Sequence, residues 1–317
     1  MAHIDDIVTL ELGQYRLREQ IGASAYGLVW RASGPFGSGD VALKLVNATQ
    51  MALAQPALRS RWIASAQAEI AFLQTLEPWD ECHIVRLLDS GMHQDLPVQA
   101  LELLGDDLGR HVAAHGAPPL AQVLAWLRQL NQALAKVHQY GWRYLDLKPA
   151  NVLLDPWLRR VKLADFGTSR RLASSEAHSY CGTAQWQAPE QFFPAAGGGY
   201  ATAARSDYFA LGALFYFMVT GGASLAYCAE CGAAYRARLA DGAAEVLARH
   251  GGLPPTLQPD DEERFAAALP GLARAGALAL LRALLAPHAD DRPRNALHIS
   301  RLLDAVPAQD EPCLRAA

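Results

Sequence analysis

The spacing of apolar positions changes period near residue 105. Upstream, Tyr15–Ile21, Leu28–Ala32 and Val41–Val46 alternate or run apolar over a few residues, separated by the glycine-rich stretches GASAYG and GPFGSGD. Alternate side chains share a sheet face and glycine supplies the turns, so the pattern predicts strands joined by hairpins. Ile84–Leu88 and Pro97–Leu103 predict two more strands. Between the two sets, Trp62, Ile63, Ala66, Ile70 and Leu73 recur at helical spacing within Arg59–Leu76. Downstream the helical period dominates, at Leu120–Gln139, near 207–219, at Leu272–Leu285 and at Ala296–Ala305. The shift falls at Leu104-Gly105-Asp106-Asp107, which predicts a linker between a strand-rich part, 1–104, and a helical part, 105–317. No internal repeat is visible, and Gly197–Gly199 and Gly251–Pro259 read as surface loops.

Composition narrows the class. A chain of 317 residues with 51% hydrophobic and 19% charged residues can bury one large core or two lobes. A net charge of −4 argues against nucleic-acid binding, which calls for a basic surplus. Tyr208–Ala229 carries no Lys or Arg and is long enough to be weighed as a membrane span. Its most apolar part stops at Val219 and Gly221-Gly222 interrupts it, so a buried helix is the better reading and no span is expected. The start has no basic segment leading an apolar run, and five cysteines form no disulfide framework, which makes the cytoplasm the expected compartment. Richness in Ala and Arg suggests a bacterial coding sequence. Lysine stands only at 44, 136, 148 and 162, so each invites a reason.

Two of those lysines lie in motifs. Gly22-Ala-Ser24-Ala-Tyr-Gly27-Leu-Val29 is a glycine-bearing hairpin, by itself no more than a turn. Val41-Ala42-Leu-Lys44 follows, then Glu69 in QAEIAFLQTL, Leu101-Glu102-Leu-Leu104, Asp146-Leu-Lys148-Pro-Ala-Asn151 and Asp165-Phe166-Gly167. Gly182-Thr183-Ala-Gln-Trp-Gln-Ala188-Pro189-Glu190 and DDRPRNA around Arg292 complete the series. Their order and spacing over Tyr15–Leu303 resemble the eukaryotic-like (Hanks-type) Ser/Thr protein kinase family.

The resemblance implies an α+β, bilobal protein kinase fold, with a five-stranded N-lobe carrying one helix and a mainly helical C-lobe. It implies ATP- and Mg²⁺-dependent phosphorylation of serine or threonine in protein substrates, with Mn²⁺ as an alternative metal. Asp146 takes the place of the catalytic base, Lys148 that of the cation beside the transferred phosphoryl, and Thr183 that of the hydroxyl bridging them. Asn151 and Asp165 take the metal-ligand places. Lys44, paired with Glu69, takes the phosphate-binding place. Ile21, Gly22, Ser24, Gly27, Val29, Ala42, Leu101, Glu102, Leu104, Asp107 and Leu153 complete the implied nucleotide site, with Leu101 as gatekeeper. Glu190 should pair with Arg292, and Asp207 should brace the catalytic loop.

Three departures stand out. Ser24 replaces the middle glycine of the hairpin, which keeps the turn but stiffens it. Tyr144-Leu145 replaces the usual His-Arg before Asp146. Tyr144 can pack as an aromatic, but Leu145 cannot hold a phosphate on the activation segment, so the chain reads as a non-RD kinase. Arg143, two residues earlier, is expected to start too far away to stand in. Arg170-Arg171 ahead of Ser174, Ser175 and Ser179 suggests autophosphorylation there. Two rivals stay open: a pseudokinase that binds without turnover, and a small-molecule phosphotransferase, against which the 182–190 peptide shelf argues. Cys228-Ala-Glu-Cys231 has too few companions for structural zinc, and His250 and His288 read as surface residues. Sequence leaves the oligomeric state unknown.

Overall fold

A computed structural model describes residues 2–24, 26–35, 39–54, 56–155, 160–174 and 180–307, which form two compact units. The first unit runs to Gly105 and also takes Ala164–Gly167; the second holds Asp106–Leu163 and the chain from Thr168. The sequence division at 104/105 left Asp165-Phe166-Gly167 in the helical part. These residues group with the first unit because Phe166 stacks on Phe72, with ring centroids 4.7 Å apart, and its N–H donates to Glu69 at 3.0 Å.

The first unit is an antiparallel sheet of six strands in the order β1-β2-β3-β4-β6-β5. They are β1 (Ile7–Thr9), β2 (Gln14–Ala23), β3 (Gly27–Ser33), β4 (Asp40–Val46), β5 (Leu87–His93) and β6 (Leu96–Glu102). Five strands and one helix were expected. The sixth strand is β1, three residues too short to show a period, and a short helix α1 (Ala48–Leu53) precedes the expected α2 (Pro56–Gln74). The strand expected at Ile84–Leu88 instead starts at Leu87 and continues through polar Asp89 and Ser90. Asp89 is buried there because its carboxylate accepts from Tyr15 Oη and Leu12 N–H, both at 2.9 Å, a pairing 74 or more residues apart that no local pattern announces. Burial, with Asp89 adding to it, pushes the Tyr15 hydroxyl's pKa up. Gln94 and Asp95, at φ +50° and +61°, form the two-residue turn that joins β5 to β6.

Alternation then separates two faces. Leu17, Trp30, Ala32, Val41, Leu43, Leu45, Val98 and Ala100 form the core on one side. On the other, Val29 pairs with Lys44, Lys44 with Gln99 and Gln99 with Ser90, while Ala42 pairs with Leu101. This second face carries the candidate nucleotide residues and receives α2.

The second unit is mainly helical. It contains α3 (Leu108–His115), α4 (Leu120–Gln139), α5 (Pro189–Phe192), α6 (Ala204–Val219), α7 (Ala226–Arg238), α8 (Gly242–His250), α9 (Pro259–Ala267), α10 (Arg274–Leu284) and α11 (Ala296–Asp304). Two ribbons accompany them: β7 (Trp142–Arg143) with β10 (Arg170–Arg171), and β8 (Val152–Asp155) with β9 (Arg160–Leu163). The apolar run weighed as a membrane span is α6, buried between α4 and α10. Gly212 permits the close approach: a Cβ there would lie 2.8 Å from that of Leu284. Among the described residues no helix is long and apolar enough to cross a membrane. Cys228 and Cys231 sit buried on α7, and burial raises both thiols, Cys231 to about 12, the opposite of what a thiolate ligand needs. His250 is bonded to Glu230 at 2.9 Å and His288 is exposed.

Candidate active site

In the first unit, the β2–β3 hairpin closes around Ser24. Its N–H donates to Gly27 O at 2.8 Å, and its Oγ accepts from the N–H groups of Gly27 at 3.0 Å and Tyr26 at 3.2 Å. Asn47 adds a bond from Nδ2 to Ser24 O at 3.0 Å. The serine that departs from the motif therefore substitutes a side-chain turn for glycine's freedom. It also occupies two amides of the kind that such hairpins offer to phosphates. We expect Ser24→Ala to release those donors without loosening the backbone and to lower the KM for ATP about fivefold, the worth of one neutral hydrogen bond. A steady-state titration of ATP checks this, and an unchanged or raised KM refutes it.

Ile21 and Gly22 lie on β2, Gly27 and Val29 on β3, Ala42 and Lys44 on β4, and Leu101 and Glu102 on β6, with Leu104 just beyond. Lys44 Nζ donates to both oxygens of Glu69, at 2.9 and 2.7 Å, and to Asp165 Oδ1 at 2.8 Å. Burial opposes the charge on Lys44, but Asp165 and Glu69 outweigh it and hold the ammonium above the ordinary lysine value. Asp165 itself sits at φ +58°, a left-handed backbone rare for a non-glycine residue, with its carboxylate half exposed. Its place is fixed by neighbours on α2: Phe72 under Phe166, Glu69 on the Phe166 N–H, and Ser65 Oγ on the Gly167 carbonyl.

In the second unit, one carboxylate organises the catalytic loop. Asp207 of α6 accepts from Tyr144 N–H at 2.9 Å, Leu145 N–H at 2.7 Å and His138 Nε2 at 2.8 Å. Leu145 is held at φ +68°, and its carbonyl accepts from Gln191 Nε2 at 3.0 Å. The chain thereby turns so that Asp146 follows. Asp146 Oδ1 accepts from Thr183 Oγ1 at 2.8 Å, and Oδ2 from Lys148 Nζ at 2.7 Å and Asn151 Nδ2 at 3.1 Å. Lys148 also reaches Thr183 Oγ1 at 2.8 Å, which closes a triangle of base, cation and hydroxyl. Gly182, at φ +92°, is required beside it, since a Cβ would stand 2.7 Å from Leu145 O.

Asn151 is buried, and its Nδ2 is spent on the backbone oxygen and carboxylate of Asp146. That leaves the amide oxygen for a cation. That oxygen, and the half-exposed Asp165 carboxylate in the other unit, are hard donors of the kind Mg²⁺ accepts. Leu153 lies on β8, bridged to Asp107, whose Oδ1 caps α3 by accepting from Arg110 N–H at 2.9 Å.

Glu190 meets Arg292 through two parallel bonds, Nη1 to Oε1 at 2.7 Å and Nη2 to Oε2 at 2.9 Å. The guanidinium is 0% exposed and also donates to the carbonyls of Ala286, Arg205 and Pro287. Sequence reading missed His138, Gln191 and Ser206, which donates to Glu190 at 2.6 Å. Each is an ordinary polar residue next to a motif, without a spacing of its own.

Arg143 was expected to start too far away to stand in for the missing arginine. It is 3% exposed, and its Nη2 donates to Ser174 O at 3.2 Å, so it does reach the activation segment, through the β7–β10 ribbon. Burial, reinforced by Arg170, lowers its pKa against the pull of Asp207 and Cys181. Ser175 and Ser179, two of the expected autophosphorylation sites, lie outside the described residues.

The protein kinase domain model matches residues 15–294. The chain is 28% identical over 211 residues to the carbon catabolite-derepressing protein kinase of Candida tropicalis, covering 66% of this chain and 32% of that protein. It is 30% identical over 218 residues to the serine/threonine-protein kinase ATG1a of Arabidopsis thaliana, again 66% and 32%. To the ribosomal protein S6 kinase beta of Caenorhabditis elegans it is 29% identical over 210 residues, 66% and 36%. The chain thus aligns with about a third of the length of these relatives. With a match that runs from β2 to the residues just before α11, the chain belongs to the protein kinase domain family.

Proposed function

We propose that this chain transfers the γ-phosphoryl group of ATP to serine or threonine hydroxyls of proteins. The observation that carries the reading is the bonded triangle of Asp146, Lys148 and Thr183. Asp146 accepts the proton of the attacking hydroxyl. Lys148 places positive charge beside the group in transfer, and Thr183 holds both side chains in register. Lys44, fixed by Glu69, binds the α- and β-phosphates. Asn151 of the second unit and Asp165 of the first would each offer an oxygen to Mg²⁺, which when bound would neutralise charge on the phosphate oxygens. The Glu190–Arg292 pair, buried and bidentate, supports the 182–190 shelf for a peptide and favours a protein over a small-molecule acceptor. Bacterial origin and a cytoplasmic location rest on composition alone.

The test is incubation of the purified chain with radiolabelled ATP, Mg²⁺ and a generic protein substrate, followed by phosphoamino-acid analysis. Label on serine or threonine is the expected result. Transfer no greater than that of Asp146→Asn would overturn the reading in favour of a scaffold.

Control by activation-segment phosphate is proposed to be weak, as a non-RD chain implies. Leu145 is apolar and 3% exposed, and Arg143 is buried with its Nη2 on the Ser174 carbonyl. Autophosphorylated and phosphatase-treated protein should differ in kcat by less than about tenfold, or 1.4 kcal/mol of barrier. A larger rise would return phosphate control to Arg143, and Arg143→Ala would then abolish it.

A further inference from the structure

Gln99, which none of the kinase motifs contains, lies on β6 under α2 and is 2% exposed. Its Nε2 donates to Glu69 Oε2 at 2.9 Å, the same oxygen that takes Lys44 Nζ at 2.7 Å. Glu69, paired with Lys44, only accepts, so the amide must turn its NH₂ toward it. That orientation leaves Gln99 Oε1 buried without a partner. A leucine or methionine would fill the place without burying an unpaired acceptor, so packing alone does not account for a glutamine.

Its neighbours supply the reason. Lys44, Gln99 and Ser90 are direct cross-strand partners on β4, β6 and β5, and so form one polar row across the sheet face that receives α2. The helix meets the row twice: Glu69 takes Lys44 and Gln99, and Gln74 Nε2 donates to Ser90 Oγ at 3.2 Å. Apolar contacts such as those of Phe72 and Leu73 tolerate sliding and rotation of a helix. A directional polar row does not, and fixing register is the best-attested use of buried polar groups.

We propose that Gln99 is a positioning residue that holds Glu69 on Lys44, so that the first unit keeps its phosphate-binding lysine in place independently of the activation segment. The inference rests on the proposed kinase reading, since it assigns Lys44 to nucleotide phosphates. It also explains how a chain with Leu145 in the arginine's place can dispense with phosphate control: α2 is registered by the sheet beneath it.

The test measures Mg·ADP affinity by calorimetry, which requires no phosphoryl transfer, for Gln99→Leu and Gln99→Met, each alone and combined with Glu69→Gln. Each single variant should bind about tenfold more weakly, the scale of one hydrogen bond to a charged group, with a melting temperature no lower than that of the parent chain. In the Glu69→Gln background the same substitutions should change affinity less than about twofold, because Gln99 acts through Glu69. Single variants that bind as the parent chain does would overturn the proposal. So would a loss that persists undiminished in the Glu69→Gln background, or a failure of both variants to fold, which would make Gln99 a structural requirement. A parent chain that binds Mg·ADP yet transfers no phosphate would refute the kinase reading while leaving Gln99 tested.

Discussion

Asp146→Asn should lower kcat by about 10² to 10⁴, the range that a positioned general base contributes, while the KM for ATP stays near that of the parent chain. The asparagine keeps the side chain's shape. One of its two positions becomes an NH₂ group, which cannot accept the substrate proton and replaces either the oxygen that accepts from Thr183 or the one that accepts from Lys148 and Asn151. Asp165→Ala should be as damaging to turnover but for a different reason. It removes the proposed metal ligand and one of the two carboxylates that neutralise Lys44, so Mg·ATP affinity should fall together with kcat. Calorimetric titration with Mg·ADP separates the two variants. Wild-type turnover in either would remove that residue from the mechanism, and equal loss of nucleotide affinity in both would show that Asp146 supports binding rather than chemistry.

How much of this was legible beforehand follows from the range of the interactions. Strands β2, β3, β4 and β6 and helices α2 and α4 announce themselves because their periods are local, α6 because it is apolar nearly all round, and the motif residues because their chemistry depends on short spacing. Asp146, Lys148 and Asn151 fall within six residues of one another, and Thr183 joins them through a glycine that only a left-handed turn accommodates. What stayed hidden depends on distant partners. Asp89, just past the strand expected at Ile84–Leu88, is held inside β5 by its bond from Tyr15, and Gln99 of β6 is buried by its bond to Glu69 of α2. Arg143 was expected to start too far away to stand in for the missing arginine, and the ribbon pairing of Arg143 with Arg170, which brings the Ser174 carbonyl to it, is not visible in its strand position. The alanine-rich helix α7 gave too little contrast between its faces for a period to show. Ser24 was legible as a departure but not as a compensation, because its value lies in bonds to Tyr26 and Gly27 that replace glycine's freedom.

Asp207→Ala should cost about 2–6 kcal/mol of stability, one to three for each of the two buried backbone donors left without an acceptor. Those donors, Tyr144 N–H and Leu145 N–H, sit on different oxygens of the carboxylate, at 2.9 and 2.7 Å. The second oxygen bond matters for more than stability, since it helps hold Leu145 at φ +68°, a conformation leucine does not choose by itself. Once released, Leu145 should relax and carry Asp146 out of its triangle with Lys148 and Thr183, so kcat falls even in the fraction that remains folded. Asp207→Asn sharpens the argument because it conserves volume and polarity. An amide offers one acceptor oxygen where two are needed, and its NH₂ would face a backbone N–H, so it should recover little of the loss. The measurements are the denaturant midpoint and kcat of both variants. Should Asp207→Asn unfold within about 0.5 kcal/mol of the parent chain, the scale of a surface substitution, and keep its turnover, then the two amides do not depend on the carboxylate and the bracing role assigned to Asp207 is wrong.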